Sequence, residues 1–345
     1  MTVKSVLSPL ETNTQHHLNG RVLVVGSGEI GTRHLQAVAS LSEVCAIEVV
    51  DPRAESLQLG QERLTAISDL NPLCEVRWLT SIDEASFGGG LCIVATQAEG
   101  RYEIVRDVVK KLGYQSFLLE KVVTQSLADY KRLLALAEER HINMWINCKT
   151  RAYPFHKRAI EKFDPQDPIQ FSVTAGNHGL AVNGIHSIDL FTFYDRCSSL
   201  TSTATYIDPT LHPSKRGKHV FDLSGALEAR SEKGSRMAVS YAHDHLASDI
   251  YVVSSKRYRF VLDHTNRLAF ESNAETGWVL RPTVFEGNLR ISHMSKAFVR
   301  DILSNGMCDL PTLHDCYTAH EFMFSVLQPA FSELMGQTVE RCPIT

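Results

Sequence analysis

The sequence has no Cys-x-x-Cys pair, no internal repeat, no low-complexity tract and no surplus of positive charge. No apolar run approaches the roughly 20 residues that span a bilayer. Each absence removes a class of function. The eight cysteines, Cys45, Cys74, Cys92, Cys148, Cys197, Cys308, Cys316 and Cys342, are scattered over 345 residues. They read as reduced, mostly buried thiols in a reducing compartment, not as a disulfide framework or a zinc ribbon. A formal net charge of -4 gives no field for drawing in nucleic acid or an anionic membrane surface. The opening "MTVKSVLSPLETNTQHHLNG" is too polar for a secretory signal, so residues 1–20 are expected to form a flexible extension of a cytoplasmic protein. What remains is small-molecule chemistry, in a chain long enough for two domains.

From Arg21 onward, short β-branched runs alternate with helix-period segments, the pattern of a parallel α/β sheet. "RVLVVG", "AIEVVD", "EVRWLT", "LCIVAT", "SFLLEK" and "NMWINC" read as strands. "EIGTRHLQAVASL", "ESLQLGQERLTAI", "RYEIVRDVVKKLG" and "SLADYKRLLALAEERH" read as helices. Beyond about Thr150 the runs lengthen and alternate, as in "IQFSVTAG", "ALEARSEKGSRMAVSYAHD", "DIYVVSSKRYRFVLDH", "RLAFES" and "GWVLRP", which predicts antiparallel strands. Helices at "MSKAFVRDILSNG" and "LHDCYTAHEFMFSVLQPAFSELMG" close the chain. The expected architecture is α/β: an N-terminal doubly wound parallel sheet of the Rossmann type over 21–148, then an α+β domain with a large, mostly antiparallel sheet over 149–345, serving substrate binding and oligomerisation.

The stretch "VLVVGSGEIGTRHLQAV" places Gly26, Gly28 and Gly31 between the first strand and the first helix. Gly26 permits the tight turn, Gly28 lets a pyrophosphate approach the backbone, and Gly31 lets helix and strand pack closely. The main-chain N–H groups at Glu29, Ile30 and Gly31 open the helix and suit an anion. Asp51 closes the second strand at the distance where a dinucleotide site holds its ribose hydroxyls. That acid favours NAD, while Arg53, two residues on, would pair with the 2'-phosphate of NADP.

Further along, "FLLEKVVTQSLADYKRLLALAEERHINMWINCKTRAYP" resembles the Gfo/Idh/MocA family of oxidoreductases, through Glu120, Lys121, Arg151 and Pro154. "CIVATQ" is similar to that family's strand ending in Ala-Thr-Pro, with Ala95 and Thr96 kept and Gln97 for proline. "GLAVNGIHSIDLF" is similar to its Asp-x-Gly-x-His-x-x-Asp motif, with Gly184, His186 and Asp189. Three departures stand out: Val122 replaces the proline after Glu-Lys, Arg101 stands where histidine is common, and Val182 stands where many members have an aspartate. The resemblance implies a homo-oligomer, a dimer or tetramer pairing through the antiparallel sheet.

On these residues Ala95, Thr96, Glu120 and Lys121 join the glycine loop, Asp51 and Arg53 in holding NAD, or alternatively NADP. Lys121 and His186 are the candidate catalytic pair. A histidine takes or gives the hydroxyl proton near neutral pH, and a lysine holds charge that develops on the reacting oxygen. Asp189, one helical turn beyond His186, would orient it or pair locally. Arg101 is a candidate contact for cofactor or substrate. Tyr153, Asn177, Asn183 and His186 are candidate substrate contacts, since amides and phenols match sugar hydroxyls. "HDH" at His243 to His245 lacks an evident third ligand, and no metal is expected. The expected activity is hydride transfer between nicotinamide and a hydroxyl or keto carbon of a sugar, sugar acid or nucleotide-linked sugar. The alternatives are a non-catalytic dinucleotide sensor, kept open by Val182, and a reductase of a non-sugar, biliverdin-like ligand.

Overall fold

The computed structural model describes residues 19–176, 179–214, 216–287 and 290–345. The first half builds β1 (Arg21–Val25), α1 (Glu29–Val38), β2 (Ala46–Val50), α2 (Ala54–Thr65), β3 (Glu75–Leu79), β4 (Leu91–Val94), α3 (Arg101–Leu112), β5 (Ser116–Leu119), α4 (Leu127–Arg140) and β6 (Asn143–Ile146). The strands form one sheet in the order β3-β2-β1-β4-β5-β6, every pair parallel. All four residues of β4 and of β5 are buried, because helices cover both faces and a continuous apolar run satisfies each. The order reverses between β1 and β4, and ligands of such sheets bind outside the carboxyl ends of the strands at that point.

The second half contains α5 (Pro154–Ala159), β7 (Gln170–Gly176), α6 (Leu180–Asp195), β8 (Leu200–Ile207), β9 (His212–Pro213), β10 (Phe221–Asp222), β11 (Gly225–Ser231), β12 (Arg236–Ala242), β13 (Ile250–Ser254), β14 (Tyr258–Asp263), β15 (Leu268–Asn273), β16 (Arg281–Thr283), α7 (Ile291–Asn305) and α8 (Tyr317–Met335). Eight strands form a sheet in the order β16-β15-β14-β13-β7-β12-β11-β8. Only β7 and β12 run parallel within it. The alternating burial of β7 shows one face packed and the other open. α6 packs against β12 and α8 on the covered face, and it is apolar nearly all round because it is enclosed.

The chain after β16 returns to the parallel sheet. α7 lies along α1, held by Lys296–Asp69 and Arg300–Glu43 ion pairs of 2.6 and 2.7 Å. Next, Ile146 N–H donates to the Pro311 carbonyl and Leu313 N–H to that of Met144, at 2.8 and 2.9 Å, which covers the exposed edge of β6. Three elements differ from the sequence expectation. β8 gives no periodic signal because six of its eight residues are exposed on both faces. The "GWVLRP" strand shrinks to Arg281–Thr283. α8 starts at Tyr317 rather than near Leu313, because Thr312 and Asp315 cap each other's N–H groups just before it.

Candidate active site

The glycine loop is built by steric necessity. Gly26 adopts φ +98°, and a Cβ there would lie 3.0 Å from the main chain of Ala95 and Thr96, where β1 passes β4. At Gly31 a Cβ would sit 1.8 Å from the Gly26 carbonyl oxygen, so only glycine lets α1 begin this close to the strand. Gly28 differs: a Cβ would meet nothing within 4 Å. It also caps α1 without a side-chain acceptor, which presents the first-turn N–H groups of Glu29, Ile30 and Gly31 to an anion. Open space at Gly28, an uncapped helix start and an acid closing β2 together fit a dinucleotide.

That acid, Asp51, is buried. Its carboxylate accepts from Ser27 N–H at 2.9 Å, from Arg53 N–H at 3.0 Å, and from the Arg53 guanidinium at 3.2 and 3.3 Å. Burial works to raise its pKa, but the Arg53 and Ser27 hydrogen bonds outweigh this and hold it below the usual carboxylate range. Arg53, with its side chain 67% exposed, is therefore tied to Asp51 rather than free at the helix start.

A second set of contacts fixes the ends of β4 and β5. Arg101 opens α3 but turns inward and is 1% exposed. Its guanidinium donates to the carbonyls of Glu120 (2.6 Å), Val123 (3.0 Å), Val122 and Thr96. The sequence expectation of a cofactor or substrate contact is corrected here: Arg101 is spent on main-chain carbonyls and ties the Thr96 turn to the Glu120–Val123 segment. Glu120 is likewise committed, accepting from Asn147 Nδ2 at 2.5 Å and bonding His34 Nε2 at 2.9 Å. Burial would raise its pKa, yet the bonds to His34 and Asn147 and the Lys121 charge hold it at about 2. His34 in turn bonds Ser295 of α7 at 3.0 Å, so a carboxylate, an imidazole and a hydroxyl brace the back of the site.

Lys121 projects the other way. Its Nζ donates to the Val182 carbonyl at 2.9 Å and to Asn183 Oδ1 at 3.1 Å, which brings the end of β5 against the first turn of α6. Burial, then the Arg216 charge, lowers its pKa to about 8. His186, one turn further along α6, is partly buried, with Nδ1 enclosed and unpartnered among the described residues. Burial first, then the charges of Lys121 and Lys149, pushes it well below the usual histidine value, so it is neutral at pH 7. Although Val182 removes the acid expected here, another arrives from β10. Asp222 Oδ1 accepts from Ala181, Val182 and Leu223 N–H groups at 2.9, 3.2 and 2.9 Å, and Gly179 has no room for a Cβ beside it.

Other candidates go elsewhere. Asp189 does not orient His186; it pairs with Arg151 at 2.8 and 2.5 Å and accepts from the Cys316 thiol at 3.2 Å. Cys148 lies in the same buried group, but the Arg151 fork already occupies the carboxylate. Tyr153 is buried against the rings of His156 and His264. His243 follows β12 and stacks on His212 at 3.6 Å. Asn177 lies outside the described residues.

The model of the Gfo/Idh/MocA oxidoreductase family, NAD-binding Rossmann fold, matches residues 20–148. The match covers the parallel-sheet half and not the rest of the chain. No curated protein matches the sequence, but solved structures share the fold across both halves. They include UDP-N-acetylglucosamine 3-dehydrogenase GnnA from Acidithiobacillus ferrooxidans, at TM-score 0.67 and 13% identity over 90% of this chain and 96% of that one. KijD10, a 3-ketoreductase from Actinomadura kijaniata crystallised with TDP-benzene and NADP, gives 0.68 at 14% identity over 89% and 96%. An oxidoreductase from Agrobacterium radiobacter, crystallised with NAD+, L-tartaric acid and magnesium, gives 0.68 at 15% identity over 94% and 98%. Residues 20–148 thus match an NAD-binding domain, and the Glu120–Lys121 pair lies at the end of β5 where Lys121 meets α6. His34, Asn147, Asp222 and Arg216 carry no local signal for this site, because each arrives from a distant segment.

Proposed function

We propose that the protein is an NAD(P)-dependent dehydrogenase or reductase acting on a hydroxyl or keto carbon of a sugar derivative, a sugar acid or nucleotide-linked sugar. The observation that carries this reading is Lys121: a buried lysine held by Val182 and Asn183, at the end of β5, beside a neutral His186 whose Nδ1 has no partner among the described residues. The fold likeness to a sugar-nucleotide dehydrogenase and a ketoreductase agrees with it. When bound, the dinucleotide supplies the hydride acceptor or donor. The glycine loop and the first turn of α1 would hold its phosphates and Asp51 its ribose, with NAD favoured by that acid and NADP served by Arg53. Ala95 and Thr96 shape the adjoining wall. Lys121 holds or moves the proton of the reacting oxygen, and Asn183 and His186 orient the polyol. The eight free cysteines suit a reducing compartment such as the cytoplasm, and no described helix is long and apolar enough to cross a membrane. The open face of the eight-stranded sheet, with Gln170, Ser172, Glu228 and Arg236 exposed, is the surface offered to a second copy.

The pH profile assigns the base. His186 is already neutral at pH 7, whereas Lys121 loses its proton only as pH rises through about 8. If Lys121 takes the hydroxyl proton, oxidation rises about tenfold per pH unit below that value and levels off above it, while reduction, which needs the protonated lysine, is flat below that value and falls about tenfold per unit above it. Measuring kcat/KM from pH 6 to 10 in both directions checks this. An oxidation rate flat between pH 7 and 9 would move the base role to His186.

A further inference from the structure

Helix α6 begins without a cap of its own. Its N-cap position is Gly179, in an extended conformation (φ -75°, ψ 126°) and with no side chain to accept first-turn N–H groups, a task that serine, threonine, asparagine or aspartate performs at most helix starts. A carboxylate from another strand does it instead. Asp222 Oδ1 accepts from the N–H groups of Ala181 and Val182, the second and third residues of the helix, at 2.9 and 3.2 Å, the two donors that an N-cap side chain serves. Leu180 N–H donates to the Leu223 carbonyl and Asn183 N–H to that of Gly179, each at 2.8 Å, so the whole first turn is satisfied. Leu223 N–H holds the carboxylate in turn, at 2.9 Å. Gly179 has to stay bare for this, because a Cβ there would lie 1.3 Å from Asp222 Oδ2.

The turn that Asp222 holds is the turn that holds Lys121. Lys121 Nζ donates to the Val182 carbonyl at 2.9 Å and to Asn183 Oδ1 at 3.1 Å, so the carboxylate fixes the N–H of Val182 while the lysine takes the carbonyl of the same residue. We propose that Asp222 is a positioning residue for Lys121, acting through the first turn of α6, with the N-cap of that helix moved from Gly179 to β10. β9 and β10 pair with each other in a sheet of their own, and the bonds from Asp222 and Leu223 to α6 make that small ribbon the support of the amine. An anion there also suits the positive end of the helix. The inference rests on the role given to Lys121 above: Asp222 holds the reacting amine in place and moves no proton itself.

Hydrogen–deuterium exchange of the Ala181, Val182 and Asn183 amides tests the cap in the ligand-free chain, and acetylation of Lys121 by acetic anhydride tests its consequence. The acetylation is followed from pH 7 to 11 against exposed Lys111, and its plateau rate reports how open the amine is. Asp222→Ala is expected to raise both rates about fivefold, the scale of a lost N-cap. It should also lower kcat about tenfold on the best substrate of a panel of sugars, sugar acids and nucleotide-linked sugars, with NADH affinity unchanged. Asp222→Asn keeps an oxygen acceptor and should restore all three. So should the double variant Asp222→Ala with Gly179→Ser, which puts a hydroxyl cap back in the space the carboxylate leaves. Unchanged exchange or acetylation in Asp222→Ala, unchanged turnover despite a loosened turn, or Asp222→Asn no better than Asp222→Ala overturns the proposal while leaving the oxidoreductase reading in place. A wild-type rate in Lys121→Ala overturns the role of Lys121 instead, and the positioning role with it. Should Asp222→Ala fail to fold, Gly179→Ala, whose methyl displaces the carboxylate, carries the same expectations.

Discussion

Replacing Lys121 with alanine is expected to lower turnover by at least about 100-fold while leaving cofactor affinity largely intact. The side chain is buried at the end of β5, and its two hydrogen bonds run to Val182 and Asn183 of α6 rather than to the glycine loop. Its removal thus takes away both a proton carrier near pH 8 and a positive charge beside the reacting oxygen, and each effect in a dry site is worth orders of magnitude. Lys121→Arg separates them, because arginine keeps the charge but does not deprotonate in this range. Arginine should restore little of the oxidation rate if proton removal is the larger effect, and most of it if the field is. Steady-state rates with the best substrate of a panel of sugars, sugar acids and nucleotide-linked sugars, paired with NADH titrations, give the comparison. A near wild-type rate in Lys121→Ala would remove the residue from the mechanism.

The second large effect falls on stability. Asp189 is fully buried against Arg151. Burial by itself would lower the Arg151 pKa, but the Asp189 charge raises it above its ordinary range, so the cation persists. Asp189→Ala leaves that cation enclosed without its partner, at a cost of about 3–5 kcal/mol. The melting temperature should fall by on the order of 10 °C, measured by scanning calorimetry. The double replacement Arg151→Met with Asp189→Leu removes both charges and should recover much of the loss. Were the double variant as unstable as Asp189→Ala, packing rather than the stranded charge would account for the effect.

What could be read from the sequence was local. The strand, turn and helix from Val22 to Val38, Asp51 at the next strand end, and the Glu120–Lys121 pair all lie within short segments whose residue types report their own conformation. The site as a working unit was not legible in this way. Arg101 reads as a contact for cofactor or substrate, and only the folded chain shows its guanidinium among four carbonyls. Asp189 sits one turn from His186 in sequence, yet Arg151 claims it from 38 residues away. Asp222, whose carboxylate accepts the first N–H groups of α6 beside Val182, comes from a strand of two residues, too short to carry a period. β8 was hidden for the opposite reason, since exposure on both faces erases the alternation that marks a strand.

Fluorescence titration of the purified chain with NADH, repeated with NADPH, bears most directly on the claim that the open space at Gly28 and the uncapped start of α1 receive a dinucleotide. Saturable binding of at least one of them, with enhanced nicotinamide emission as the site excludes water, is the expected result. No binding of either at millimolar concentration would contradict it.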